Sequence, residues 1–323
     1  MTRTGRKADQ REQPGACICA FADGEPAARR LASQLGLPLA MVETRAFPDG
    51  ESLVRVEGPF RHAVVYRSLN DPGLHDPNTR LVEALLAASA LRDQGAERLI
   101  LVAPYLSYLR QDTAFRPGEA VSQKVVGRLI AEAFDGVVSV DPHLHRTRRL
   151  ADIFPGVDAV AVSAAPALAS LVRQDGFDKD TILIGPDQES RSQVAAVAAI
   201  LGLEWEAAEK VRRGDRAVTV RLPAATNCKG RPVILVDDVI STGTTLMECA
   251  RLLREKGAAR IEALAVHALY APDREDAFRA AGIAQVRCTD SLAHPAGRAP
   301  LAGLLAEAVK LILGGSGADR APP

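Results

Sequence analysis

Residues 233–246 read Val-Ile-Leu-Val-Asp-Asp-Val-Ile-Ser-Thr-Gly-Thr-Thr-Leu. Val233 to Val236 is a short apolar, β-branched run, the pattern of a strand buried on both faces. Asp237 and Asp238 follow at its carboxyl end. Ser241-Thr242-Gly243-Thr244-Thr245 then forms a loop of hydroxyls with one glycine ahead of a helix, on which Leu246, Ala250 and Leu253 share a face. A helix N-terminus with free N–H groups favours an anion, and Gly243 lets the backbone approach one closely. The two carboxylates can accept hydrogen bonds from vicinal sugar hydroxyls or help hold Mg2+. The stretch lacks the GxxxxGK[ST] pattern of a P-loop. Its chemistry is sugar plus phosphate; the plain alternative is an Asp-rich turn that only caps a helix.

At 323 residues the chain has room for about two domains. Hydrophobic residues at 47% and charged residues at 25% are ordinary for a soluble globular protein. The formal net charge is zero, which excludes an overall imbalance aimed at nucleic acid or membrane. No apolar run is long enough to span a bilayer, and no apolar segment precedes Ala16, so neither anchor nor secretory signal is expected. The five cysteines are scattered: Cys17 and Cys19 share one face of a strand, and neither they nor Cys228, Cys249 and Cys288 make a zinc pattern. Free thiols in a reducing cytoplasm follow.

Outward from the opening stretch, strands and helices alternate in both directions. The expected division is a polar tail at 1–15, an α/β domain at 16–160, a second at 161–314 and a short tail at 315–323. The alternation predicts a mostly parallel central sheet flanked by helices in each domain. The chemically loaded loops nearly all follow strand carboxyl ends, where open α/β sheets bind ligands. Phe47-Pro48-Asp49-Gly50-Glu51 carries a strong turn signal and reads first as a hairpin; its aromatic ring beside carboxylates can also stack on adenine and take its amine. Arg110-Gln111-Asp112 after a strand suits phosphate and base contacts, since Arg binds phosphate oxygens bidentately. His143, just past a strand, can ligate Mg2+ directly or through water. Arg146, Arg148 and Arg149 read as a solvated face or a subunit contact. Lys210-Val211-Arg212 is expected as a basic loop between two strand-like pieces, able to close over a polyphosphate.

Eight motifs occur in one order: FPDGE at 47–51, PYxxYxRQD at 104–112, GExxS at 118–122, DPHxH at 141–145, PDxxS at 186–190, EKxR at 209–212, VDDxISTGTT at 236–245 and CTDSL at 288–292. In these the chain resembles the phosphoribosyl diphosphate (PRPP) synthetase family, the ribose-phosphate diphosphokinases, over nearly its full length, and looks most like the archaeal-type branch. The resemblance implies two phosphoribosyltransferase-like α/β domains. It also implies transfer of the β,γ-diphosphoryl group of ATP, with Mg2+, to the C1 hydroxyl of ribose 5-phosphate. Phe47, Asp49 and Glu51 would contact adenine in a neighbouring subunit's site, and Arg110, Gln111 and Asp112 would contact ATP. His143 and Asp187 would serve the metal, while Lys210 and Arg212 would be the catalytic pair. Asp237 and Asp238 would take the ribose hydroxyls, and Ser241, Thr242, Gly243, Thr244 and Thr245 the 5-phosphate. A homo-oligomer with its ATP site at a subunit interface is implied as well.

Two alternatives stand beside this reading. A phosphoribosyltransferase would use the same cradle, but it needs only one such domain and leaves FPDGE and RQD without purpose. A non-catalytic homologue that regulates an active synthetase would be expected to lack Lys210 and Arg212. The chain departs from the family pattern at Gln188-Glu189-Ser190, where small residues are usual, at Thr244, where glycine is common, and at Thr113-Ala114-Phe115, where a basic residue is common.

Overall fold

The computed structural model describes residues 15–72, 76–213, 217–223 and 226–315, with the side chains of 210–220 outside that description. The two expected tails therefore lie almost wholly outside the described residues.

The first sheet is built from β1 (Ala16–Phe21), β2 (Leu39–Ala46), β3 (Ser52–Val56), β4 (His62–Tyr66), β5 (Arg98–Val102), β6 (Gly136–Val140) and β7 (Asp158–Val162). Its strand order is β3-β2-β1-β4-β5-β6-β7. Only β3 runs antiparallel to its neighbour; the β2–β3 hairpin holds the Pro-Asp-Gly turn at its tip. Helices α1 (Glu25–Leu35), α2 (Pro77–Asp93) and α3 (Ser122–Ala133) make the crossovers. Leu99 to Val102 are buried on both faces, as a central parallel strand requires.

The second half opens with α4 (Ala165–Asp175), β8 (Ile182–Gly185), α5 (Arg191–Leu201) and β9 (Glu204–Ala207). A two-stranded ribbon follows, β10 (Glu209–Arg213) with β11 (Ala217–Arg221), paired antiparallel. Then come β12 (Pro232–Ile240), α6 (Thr244–Glu255), β13 (Arg260–Ala268), α7 (Glu275–Ala281), β14 (Val286–Thr289), β15 (Gly297–Ala299) and α8 (Ala302–Gly314). The second sheet has the order β15-β14-β13-β12-β8-β9 and is parallel throughout.

Period-two alternation along the strands sorts the core into layers. Cys17, Cys19, Val65, Leu99 and Leu101 face α2 and α3 on one side of the first sheet. Ile18, Val64, Ile100 and Val138 face the other way, into a cluster that also holds α1, α4, α5, α8 and the Leu183, Ile234 and Leu264 face of the second sheet. The far face of the second sheet, with Val233 and Leu235, packs on α6 and α7. One apolar layer therefore joins both sheets.

Three expectations change. Residues 158–162 form β7 of the first sheet, so a division at 160/161 falls inside a strand. The opening strand does not stop at Val236: β12 continues through both aspartates to Ile240, because Val239 and Ile240 keep pairing with His267 and Ala268 of β13. The Lys210–Arg212 segment is strand β10 rather than a loop, since Glu209 to Arg213 pair antiparallel with Arg221 to Ala217 of β11.

Candidate active site

The site begins where β8 stops. Pairing of β12 with β8 ends at Leu235 opposite Ile184, while pairing with β13 runs on to Ile240. The chain reverses its direction of strand addition between β8 and β12, so this is the sheet's topological switch point, and the unpaired flank of β12 opens a cleft there. Asp237 and Asp238 sit on that flank. Burial, then the charges of Asp238 and Asp187, push the Asp237 carboxyl well above the usual carboxylate range. Burial works against the Asp238 charge too and is the largest single influence, but the His143 ring, with Nδ1 3.6 Å from Asp238 Oδ2, together with His267 and Asp237 outweighs it and holds that carboxyl low. The charges of Asp238 and Asp187 both act on Asp237, and negative charge gathered at this strand end is what a hard divalent cation, with its preference for oxygen ligands, would relieve.

Beyond Ile240 the chain turns through Ser241 and Thr242 into α6. Gly243 caps the helix at φ +72°, a left-handed conformation suited to glycine. A Cβ at Gly243 would lie 2.3 Å from Phe278 Cε1, so the residue is fixed by packing as well as by backbone angle. Thr242 Oγ1 lies 3.1 Å from Thr244 Oγ1, and Arg274 Nη2 donates to the Thr242 carbonyl at 2.9 Å. Ser241, Thr242 and Thr244 are exposed at the helix start.

A cavity of about 450 Å³ lies between the strand ends of the two sheets. Arg110 and Gln111 reach it from the segment after β5, Asp141 and His143 from the segment after β6, and Ser241 and His267 from the second sheet. Tyr108 (φ 68°) and Asp141 (φ 35°), the two non-glycine residues with positive φ among those described, both line it. Strain of this kind persists where the surrounding structure over-determines it, often at functional sites. Burial pushes the Asp141 carboxyl up to about 6, while its Oδ2 accepts from Ala164 N at 2.8 Å, at the start of α4.

Models of two families match this chain: the N-terminal domain of ribose phosphate pyrophosphokinase over residues 16–133 and the phosphoribosyl transferase domain over 159–287. A ribose-phosphate pyrophosphokinase of Methanopyrus kandleri is 37% identical over 298 residues, covering 92% of this chain and 99% of its own. The chain belongs to the ribose-phosphate pyrophosphokinase family. A second relative of that name, from Methanothermobacter thermautotrophicus, is 34% identical over 88% of this chain and 96% of its own. The phosphoribosylpyrophosphate synthetase of Mycobacterium smegmatis superposes with a TM-score of 0.78 at 25% identity, covering 93% of this chain and all of that one.

The pyrophosphokinase motifs do not all meet at the cavity. Arg110, Gln111, His143 and Ser241 do, with Asp238 beside His143. Asp112 does not line it: its carboxylate accepts from Arg146 N at 3.1 Å and Nη1 at 2.8 Å. The Arg146 guanidinium in turn lies 5.5 Å from the centroid of the exposed Phe115 ring. Phe47 sits at the β2–β3 tip, 37% exposed and covered by Arg45, and Asp49 Oδ1 accepts from Glu51 N at 3.2 Å. Asp187 Oδ1 accepts from Glu189 N and Ser190 N, closing the turn that starts α5. Gln188 Nε2 donates to the Ala208 carbonyl at 3.3 Å, tying that turn to the foot of the ribbon. Lys210 and Arg212 lie in β10, with side chains outside the described residues.

Four residues near the site escape a reading of the sequence. Asp141 and His145 lie within the DPHxH motif without a role read for them and His267 lies outside every motif, since no local pattern says which way each side chain turns. Glu189 is legible only as an odd charge.

Proposed function

We propose that the protein is a ribose-phosphate diphosphokinase. The observation that carries this reading is the shared cavity, in which Arg110, Gln111 and His143 from the first sheet face Ser241 from the second. A synthetase needs such a two-substrate cleft, with a polyphosphate donor and a sugar-phosphate acceptor brought end to end.

In this reading Ser241 to Thr245 and the first N–H groups of α6 hold the 5-phosphate, and Asp237 and Asp238 accept from the ribose hydroxyls. The C1 hydroxyl attacks the β-phosphorus of ATP in line, and AMP leaves. Arg110, with Lys210 and Arg212 of the ribbon, neutralises charge on the transferring group; positioning and electrostatics carry most of such reactions. Mg2+ would be held near His143 and Asp187 and would supply further charge neutralisation on the polyphosphate. No protein nucleophile is needed.

Phe47, Asp49 and Glu51 do not line the cavity of their own chain, which supports a role in a neighbouring subunit's adenine site. Val82, Leu86, Val125 and Leu129 leave apolar surface exposed on α2 and α3, as a homo-oligomer contact would. A reducing, cytoplasmic setting suits five buried cysteines that are all free thiols. Among the described residues no helix is long and apolar enough to cross a membrane.

Incubation of the protein with ATP, Mg2+ and ribose 5-phosphate is expected to yield AMP and PRPP in equal amounts, and Lys210→Ala to lose most of that turnover while ribose 5-phosphate still binds. No AMP above a protein-free control would remove this reading. PRPP consumed with a purine or orotate would favour a phosphoribosyltransferase instead.

A further inference from the structure

We infer that His143, His145 and Glu189 form a binding site for a divalent transition ion of the zinc class, bridging the two halves of the molecule. The two histidines come from the segment after β6 in the first sheet, and Glu189 from the turn after β8 in the second. One ligand atom from each lies within 4.8 Å of the others. His145 Nε2 is 3.7 Å from Glu189 Oε2, and the two imidazoles meet edge to face with centroids 4.2 Å apart. Side-chain rotation of about 1 Å brings such a set to the 2.0–2.2 Å metal bonds of zinc sites.

The donor set argues for the class of ion. Two imidazoles with one carboxylate suit borderline transition ions, whereas Mg2+ takes oxygen ligands and water. The surroundings are built as a ligand shell is built. Asp238 stands behind the His143 ring, with Oδ2 3.6 Å from Nδ1, where a carboxylate can orient the imidazole. The Asp187 carboxylate accepts the Glu189 N–H at 3.0 Å and fixes the turn that presents Glu189. His145 and Glu189 are exposed, leaving the outer side of the site open to water or a phosphate oxygen. Glu189, the departure that placed an unexpected negative charge near a diphosphate site, thereby gains a partner: a bound cation cancels it.

The consequence for catalysis rests on the diphosphokinase reading, but the binding does not, so the test omits nucleotide and sugar. Full-length protein stripped with chelator is titrated by calorimetry with ZnCl2 and separately with MgCl2, and its Tm is followed with and without each. One equivalent of Zn2+ is expected to bind about 100-fold or more tighter than Mg2+ and to raise the Tm. Glu189→Gln and His145→Ala should each weaken Zn2+ by about 10–100-fold and abolish the Tm rise. Asp152→Asn, on an exposed carboxylate paired with Arg149, should keep both. An unchanged Tm of the metal-free variants shows that they are folded; should Glu189→Gln fail this, Glu189→Asp is expected to retain weakened binding. Zn2+ affinity unaltered in Glu189→Gln, or no preference over Mg2+, would overturn the site. Loss of the site with PRPP still formed leaves the diphosphokinase reading intact; Zn2+ bound with no PRPP formed removes that reading and not the site.

Discussion

Gly243 carries two demands at one atom. Its φ of +72° places it in the left-handed region, and its missing Cβ makes room for the buried Phe278 ring. Gly243→Ala must therefore both strain the backbone and push on an aromatic side chain of α7 that is fully enclosed. Overpacking and a left-handed alanine together cost about 2–4 kcal/mol. Urea unfolding of the variant is expected to show that loss, along with weakened ribose 5-phosphate binding; a change below about 0.5 kcal/mol, the range of a neutral surface substitution, would refute the double role. The glycine was legible in the sequence from its setting in STGTT, but its packing partner lies 35 residues along the chain and no local pattern names it. Asp112 shows the converse: its residue type and place after Arg110 and Gln111 suggest a ligand contact, while the fold turns its carboxylate onto Arg146.

Among the elements, α8 is the one whose role its position in the chain conceals. It is the last element among the described residues, yet it packs against α1 and against β5, β6 and β7 of the first sheet. It buries Leu305, Val309 and Ile312 into the layer shared by both sheets. Burying three such side chains is worth about 5–9 kcal/mol, comparable to the roughly 5–15 kcal/mol stability of a whole domain. A chain ending at residue 300 is accordingly expected to aggregate or to lose its cooperative thermal transition. A soluble truncated protein with native-like near-UV circular dichroism would show that α8 is dispensable. The amphipathic pattern of 301–312 identifies a helix from sequence; which sheet it covers depends on the chain returning across the molecule. The ribbon β10–β11 is half hidden in the same way: 217–221 reads as a strand from its alternation, whereas 209–213 reads as a loop and is a strand only through its pairing with β11.

At the scale of the whole molecule, His267 joins the two halves. It lies at the end of β13, with its Nε2 3.1 Å from the Val140 carbonyl of β6, Nδ1 2.9 Å from Ser291 Oγ, and the Tyr105 ring edge-on at 4.9 Å. Burial, only partly opposed by the Asp238 charge, pushes its pKa down to about 4. The folded state therefore holds the ring neutral while the unfolded chain takes up a proton below about 6.5. The stability this contributes is present above pH 6.5 and is lost as pH falls towards 4, by about 3 kcal/mol in all. His267→Gln is expected to flatten that part of the stability–pH curve measured by denaturant unfolding. Parallel curves for the variant and the parent would show that the ring is not held neutral.

The sequence by itself determined the α/β class and most of the order of strands and helices, and it marked 241–245 as a candidate phosphate cradle. These follow from short-range rules: apolar alternation, turn residues, and backbone N–H groups at a helix start. It also carried the family motifs in their order. Only the tertiary structure decided which motif residues share a space. Arg110, Gln111, His143 and Ser241 meet because two sheets pack through one apolar layer with their strand ends facing a common cleft. The same packing brings Glu189 to His145 across 44 positions of chain. Side-chain direction at a strand end depends on where the neighbouring strand stops, and that is a property of pairing between distant segments, as the early end of β8 beside β12 shows.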